Sequence, residues 1–486
     1  MDTHIIDPVY EKKDPIGRLR TLPFVALTDE FLYSPAYFIL IGVMAVIANL
    51  FSAELIVYTG YILIGLYISF FGKDYLPIIP IVICCYIAPS VRNNPGRNEA
   101  SIFFGSTGLF LVVLAAIFVI SLVVRLALDP HIGRKAFWIR KRKLLPGMLA
   151  LGAAYLLSGA GSGHSFDHGH SNLLFAAIQF LAVFLLYFIL SGAVKWEEAP
   201  RRYFAWTGIC VGFVLLAEIL GIYLAGSIIA DGEIDREKIY TGWGHYNNIG
   251  ALLAMMIPFA FHLACVKRRS WIYNICGVVF LIGVFMTCSR ASTVFAVCTY
   301  IASCLVVMFK SRNRRVGLLT NIITGMVLLT VFVLFHDYLL RLFSSLLSNA
   351  QSLGVRLEGY KAGIQQFLDY PLFGGTFYPV DTDLYEWSNV EAFCAFFPAR
   401  WHNTIVQIAA SAGIAGLAAY AFHRLQTILL VFRKPSVEVI CIGISIAVLL
   451  LSSLLDCHLF NVGPTLFYSM ALSFAENCPT HTPKTR

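Results

Sequence analysis

Three side chains in the second half of the chain combine a residue type and a setting that suit them to chemistry. Arg290, in TCSRAS (287–292), stands between two apolar runs with no acid beside it in sequence. A charge held against a membrane is costly and, where it has a function, faces a cavity; the alternative is an interfacial arginine snorkelling to headgroups. Arg356 lies in VRLEGYKAGIQQFLDYPLFGG (355–375). There Leu353, Leu357, Tyr360, Ile364 and Phe367 recur at helical spacing and form one apolar stripe, which Arg356 flanks beside Tyr360. The helix should end before Pro371, with Gly374-Gly375 as a turn. A solvated charge paired with Glu358 or Asp369 is the other reading of Arg356. His402 precedes Asn403 and Thr404, either of which would cap the apolar helix that begins there. A histidine so placed can serve as a general base near neutral pH, or be an interfacial residue without a role.

Further groups are spread along the chain. GWGHYNNIG (242–250) brings His245, Asn247 and Asn248 to the entrance of an apolar run. Its amides are either caps or contacts to sugar hydroxyls, and Trp243 and Tyr246 add stacking surfaces. Glu218 lies inside an apolar run, toward its outer half, and is a candidate ligand contact or partner of an outer arginine. His164, Asp167, His168 and His170 look like a metal cluster, but no helix fixes their spacing and a short flexible loop binds metal weakly. No metal and no cofactor is expected. Twelve cysteines have no metal-ligand spacing, and most sit in apolar runs as small hydrophobes. A Cys394–Cys457 disulfide is conceivable.

The elements that must position these groups are membrane helices. Of 486 residues, 58% are hydrophobic and 13% charged, against roughly 25% charged in a soluble domain. The fold class expected is an all-α polytopic membrane protein of about 12–14 transmembrane helices with one large outer loop containing amphipathic helices. Fourteen apolar runs are read as spans: 36–53, 55–71, 75–90, 107–128, 144–161, 172–194, 203–225, 248–265, 271–288, 291–309, 316–335, 403–422, 437–455 and 463–475. The net charge of +8 does not point to nucleic acid, because Lys and Arg concentrate in alternate short connections. By the positive-inside rule both termini are cytoplasmic and the 336–402 loop is outside. The divisions expected are an N-terminal segment (1–35), N-terminal spans (36–240), central spans (241–335), the outer loop (336–402), C-terminal spans (403–475) and a tail (476–486).

Residues 240–420 resemble the O-antigen ligase and polymerase superfamily. Three signals come in the family's order: Ser289-Arg290 at the outer end of a span; Arg356, Tyr360, Lys361 and Ala362, then Pro371-Leu372-Phe373-Gly374; and His402-Asn403, then Gly413 and Gly416. The resemblance implies a metal-independent glycosyltransferase with the membrane-embedded GT-C fold. It would move a glycan from an undecaprenyl-diphosphate carrier to a glycan, lipid or protein acceptor on the outer face of a bacterial cytoplasmic membrane. Arg290 and Arg356 would then bind and neutralise the diphosphate, as planar, permanently charged guanidinium groups can. His402 would take the acceptor's proton. Asn403, Asn247, Asn248, Tyr360, Lys361 and Glu218 would contact substrate. The span count and an acidic, aromatic 376–400 insert depart from the family pattern. A polytopic transporter or flippase is the alternative; it would show a midplane site and broken helices.

Overall fold

Apolar runs of bilayer length become helices because in hydrocarbon a backbone can satisfy its polar groups only within its own helix. The protein is described by a computed structural model over residues 22–51, 53–84, 106–128, 142–164, 171–196, 200, 202–226, 228–230, 233–241, 244–311, 313–342, 351–377, 380, 401–433 and 435–477. Its helices are α1 (Pro23–Leu32), α2 (Pro35–Leu50), α3 (Glu54–Phe71), α4 (Ile78–Cys84), α5 (Ser106–Leu128), α6 (Leu145–Leu156), α7 (Ser171–Ala193), α8 (Tyr203–Leu224), α9 (Tyr246–Val266), α10 (Ser270–Met286), α11 (Arg290–Lys310), α12 (Arg314–Leu342), α13 (Gln351–Asp369), α14 (Thr404–Arg433), α15 (Val437–Ser452) and α16 (Val462–Asn477).

Every apolar run read as a span has its helix. Five of these helices are long and apolar enough to cross a membrane, or six if α1 and α2, bent by 70°, form one span. That is fewer than the 12–14 expected. Several apolar runs, such as Leu145–Leu156, Ser270–Met286 and Val437–Ser452, form helices of 10–17 residues, and the 75–90 run leaves the described residues after Cys84. The protein is a multi-pass membrane protein, all-helical apart from two short hairpins among the described residues. These hairpins occupy the connection between α8 and α9. In the first, β1 (Ile229–Ala230) pairs antiparallel with β2 (Glu233–Ile234); in the second, β3 (Tyr240–Thr241) pairs with β4 (Gly244–His245). A 3-10 turn, Arg236–Lys238, lies between them.

The bundle is built around α9. Almost all of it is buried, against α8, α10, α11 and α15. Small residues let its neighbours close in: a Cβ at Gly208 of α8 would meet Phe259, and one at Gly250 would meet Ser292 and Thr287. By contrast α12 is exposed along most of its length and continues to Leu342, so the connection to α13 starts later than residue 336. Beyond it α13 lies against α14. Its packed face is Gly359, Ala362, Gly363 and Gln366 rather than the apolar stripe. Leu357 and Ile364 are each 49% exposed, and Leu368 and Leu372 extend the same exposed face. Small residues allow the helices to approach more closely than leucines would, and the leucines are left for the surroundings.

Candidate active site

The chain enters α14 through Trp401, His402 and Asn403. His402 has φ of +51°, the left-handed region that a residue with a Cβ seldom adopts and that collects at functional sites. Its neighbours hold it there. Asn403 Oδ1 accepts from the amides of Ile405 (2.8 Å) and Val406 (3.2 Å), and its Nδ2 donates to the Leu454 carbonyl at 2.9 Å. The Thr404 amide donates to the Ser453 carbonyl at 2.8 Å. The cap expected at Asn403 is therefore real, and it also ties the start of α14 to the end of α15.

That tie brings in a residue the sequence reading passed over. Asp456, 8% exposed, has Oδ1 3.6 Å from His402 Nδ1. Asn247 Nδ2 donates to Asp456 Oδ2 at 3.4 Å, and Asn247 Oδ1 accepts from the Ser289 hydroxyl at 2.8 Å. Ser289 is the N-cap of α11, and Arg290 is its first residue. A continuous run of contacts thus joins the entrances of α14, α9 and α11 through Asp456. Cys288, beside Ser289, is the other non-glycine residue with positive φ among the described residues, at +56°.

Around this run stand cations. Arg290 is exposed, and the charges of Arg236 and Arg356 both act on it. Arg236 was not singled out from sequence. The turn between the hairpins sets its guanidinium 5.0 Å from the Tyr246 ring centroid. Arg356 sits one helical turn before Tyr360, on the same side of α13. The Tyr360 hydroxyl donates to the His402 carbonyl at 3.3 Å. Burial pushes the Tyr360 phenol up, with Arg356 opposing and Asp456 adding to the rise, so it remains a neutral donor. Neither Glu358 nor Asp369 pairs with Arg356 among the described residues; Asp369 accepts from Gln365 at 2.9 Å.

A backbone joint fixes α13 over this assembly. At Gly413 (φ +61°, ψ −154°) α14 breaks. The turn after α13 fills the break: the Gly375 amide donates to the Ala410 carbonyl (2.9 Å), that of Ile414 to Pro371 (2.8 Å), and that of Ala415 to Leu372 (3.1 Å). Gln366 Nε2 reaches the carbonyls of Thr376 and Ala410. A Cβ at Gly374 would come within 2.2 Å of the Ser411 carbonyl carbon, and one at Gly413 within 2.6 Å of that of Leu372. The stretch that carries Gly413 and Gly416 is thus a helix break stitched by a second segment.

The remaining expected residues divide. Asn248 is buried, and its Oδ1 accepts from His458 Nδ1 (2.7 Å) and Asn461 Nδ2 (2.8 Å). Its side-chain oxygen, like both polar atoms of the Asn403 amide, is thus engaged with protein groups. Lys361 is exposed on α13, and Glu218 is buried in α8; neither enters the contacts above. Of the suspected metal cluster only His164 lies within the described residues, its ring edge-on to Tyr370; Asp167, His168 and His170 lie outside them, as do Trp243, Cys394 and most of the 376–400 insert. Among the described residues no group of three or more His, Cys, Asp and Glu side chains could hold a metal ion. Cys457 is buried, and its thiol donates to Gln407 Oε1 at 3.5 Å.

The site therefore offers a histidine with a carboxylate behind it, near the exposed Arg290 and the half-buried Arg356, whose guanidinium groups could receive an anion. A search of curated proteins finds no match to the chain. The model of the O-antigen ligase family matches residues 275–421, the stretch that runs from α10 into α14 and carries Arg290, Arg356, Tyr360, His402 and Gly413.

Proposed function

We propose that the protein is a glycosyltransferase that moves a glycan from an undecaprenyl-diphosphate carrier to an acceptor hydroxyl on the outer face of the cytoplasmic membrane. The observation that carries this reading is that Arg290 and Arg356, with no acid paired to either among the described residues, lie at the same end of the bundle as the His402–Asp456 pair. The family match over residues 275–421 supports lipid-linked glycan transfer as the reaction class.

In the proposed step the acceptor oxygen attacks the anomeric carbon of the donor sugar. His402 takes the acceptor proton. The bond from the anomeric carbon to the diphosphate oxygen breaks, and its electron pair stays with the diphosphate. Arg290 and Arg356 stabilise that growing negative charge, most strongly if they are fixed in place before the reaction. Asp456 acts on His402 from the Nδ1 side and leaves Nε2 to face the acceptor; it is a positioning residue. Asn247 couples this pair to the Ser289 cap, so that base and Arg290 keep their spacing. The exposed leucine face of α13 would rest at the lipid–water boundary, where the carrier's diphosphate lies. The chemistry needs no metal on this reading, and activity should survive EDTA.

The test uses purified protein and an undecaprenyl-diphosphate-linked repeat unit, with and without a lipid or protein acceptor, followed by gel. A ladder without added acceptor would mean a polymerase, and a single shift of the acceptor a ligase. No turnover of any lipid-linked donor, together with saturable uptake of a solute, would replace this reading with transport.

A further inference from the structure

At the end of the bundle away from His402, the turn from α9 to α10 carries three consecutive cations, Lys267, Arg268 and Arg269. With Tyr273 they line a cavity of about 580 Å³. No acidic side chain pairs with any of the three among the described residues. Lys267 Nζ lies 5.6 Å from the Trp206 ring centroid, and burial, with the nearby Arg202 charge, pushes its ammonium below the ordinary lysine range. Asn313 Nδ2 donates to the Arg268 carbonyl at 3.2 Å and ties the turn to the entrance of α12. Like charges gathered in a concavity repel one another, and an anion would relieve that repulsion.

A second cavity, of about 510 Å³, follows the seam between α2 and α8 and is apolar: Pro35, Phe38, Gly42 and Val46 on one side, Trp206 and Val214 on the other. The two cavities share an aromatic hinge. Trp206 stacks on Phe38 in the groove, centroids 6.4 Å apart, and meets Tyr273 of the cationic cavity edge to face at 5.9 Å. From Pro35 to Ile47 the groove rises about 18 Å along α2, close to the depth of one leaflet, half of a ~30 Å hydrocarbon core. The positive-inside rule accounts for cations at this end. It does not account for a cavity among them or for an apolar groove that leads to it through interfacial aromatics.

We propose that these two cavities form one binding site for an anionic glycerophospholipid, with an acyl chain in the α2–α8 groove and the headgroup phosphate among Lys267, Arg268 and Arg269. Under the expected orientation this end faces the cytoplasm, where basic pockets between membrane helices recognise anionic headgroups. The site is separated from His402 by the length of α9, and the inference does not depend on the proposed transfer reaction.

The experiment compares phosphatidylglycerol with phosphatidylcholine of the same chains on the full-length protein, by native mass spectrometry and by thermal unfolding. One phosphatidylglycerol per chain should survive activation that strips phosphatidylcholine, and only phosphatidylglycerol should raise Tm. Replacing all three cations (Lys267→Gln, Arg268→Gln, Arg269→Gln) should weaken phosphatidylglycerol retention by about tenfold or more. Val43→Trp, at a groove position that is 49% exposed and so free of core strain, should lower retention while the cations remain. Equal retention of the two lipids, or unchanged selectivity in the triple variant, would overturn the proposal. A Tm rise with inorganic phosphate alone that matches phosphatidylglycerol and ignores Val43→Trp would leave an anion site without a lipid. Displacement of phosphatidylglycerol by equimolar undecaprenyl phosphate would overturn the assignment to a glycerophospholipid.

Discussion

Arg125 at one end of this bundle and Arg290 and Arg356 at the other are used in opposite ways. At the end away from His402, Arg125 is 1% exposed. Its guanidinium donates to the carbonyls of Ile68 (2.6 Å), Ser69 (3.0 Å), Gly72 (2.7 Å) and Lys73 (3.2 Å), closing the C-terminus of α3. Glu476 does the same for donors, accepting from the backbone amides of Lys143 and Leu144 and from the Tyr187 hydroxyl. Asp74 accepts from the Tyr33 hydroxyl and the amides of Leu76 and Lys195. Arg125, Glu476 and Asp74 thus complete the hydrogen bonding of helix termini at that end. At the His402 end the backbone completes itself: Asn403 caps α14, Ser289 caps α11, and the 371–375 turn fills the break at Gly413. Arg290 and Arg356 are thereby left over, with no acid or carbonyl as partner among the described residues. The difference teaches that a charge becomes available for chemistry where uncharged groups have already met the structural demand.

The comparison can be broken or sharpened by substitution. The largest effect expected is on transfer. Arg290→Ala, Arg356→Ala and His402→Ala should each lower kcat by roughly 10²–10³-fold or more with Tm and membrane insertion unchanged, measured on purified protein. Wild-type turnover in all three would remove the distinction between the two ends. Arg125→Met should do the reverse. Stranding buried carbonyls costs about 1–3 kcal/mol each where water cannot replace the donor, so Tm should fall steeply while turnover per folded molecule holds. Gly413→Ala or Gly374→Ala forces a Cβ into backbone and should cost about 1–3 kcal/mol, and it should also move α13; loss of both stability and activity is expected, and a neutral result would refute the joint. Tyr360→Phe is the smallest: one hydrogen bond of about 0.5–1.5 kcal/mol, read as a kcat loss of about tenfold or less with Tm nearly unchanged.

Much of this architecture was legible in the chain, for physical reasons that also mark where legibility stopped. Spans announce themselves because lipid penalises every polar group, so α8 and α9 were located to within a residue or two. The placements of Arg290, Arg356 and His402 came from local motifs, and Asn403 from capping chemistry. Asp456 was missed because it stands just past an apolar run, far along the chain from His402, and only the Asn403–Leu454 and Thr404–Ser453 bonds bring the two together. An acid at the end of an apolar run, followed by Cys457-His458, was the signal to weigh. Arg236 was hidden in the connection between α8 and α9, whose hairpins are too short to show alternation. The α13 stripe was found at the correct period; periodicity locates an apolar face, and it does not say whether protein or lipid covers it. In a membrane protein glycines and alanines often make the tighter protein seam, as Gly359, Ala362 and Gly363 do here.

That outward-facing stripe has a kinetic consequence. Leu357, Ile364, Leu368 and Leu372 present one apolar edge to the surroundings, while the Gly413 joint keeps α13 from swinging away. A carrier whose tail never leaves the hydrocarbon would reach Arg356 sideways, moving in two dimensions rather than three. The quantity that governs encounter is then donor per lipid, not donor per litre. Adding inert lipid or detergent at constant donor molarity should slow the enzyme in proportion, and a Michaelis constant for this protein would be stated as a surface mole fraction.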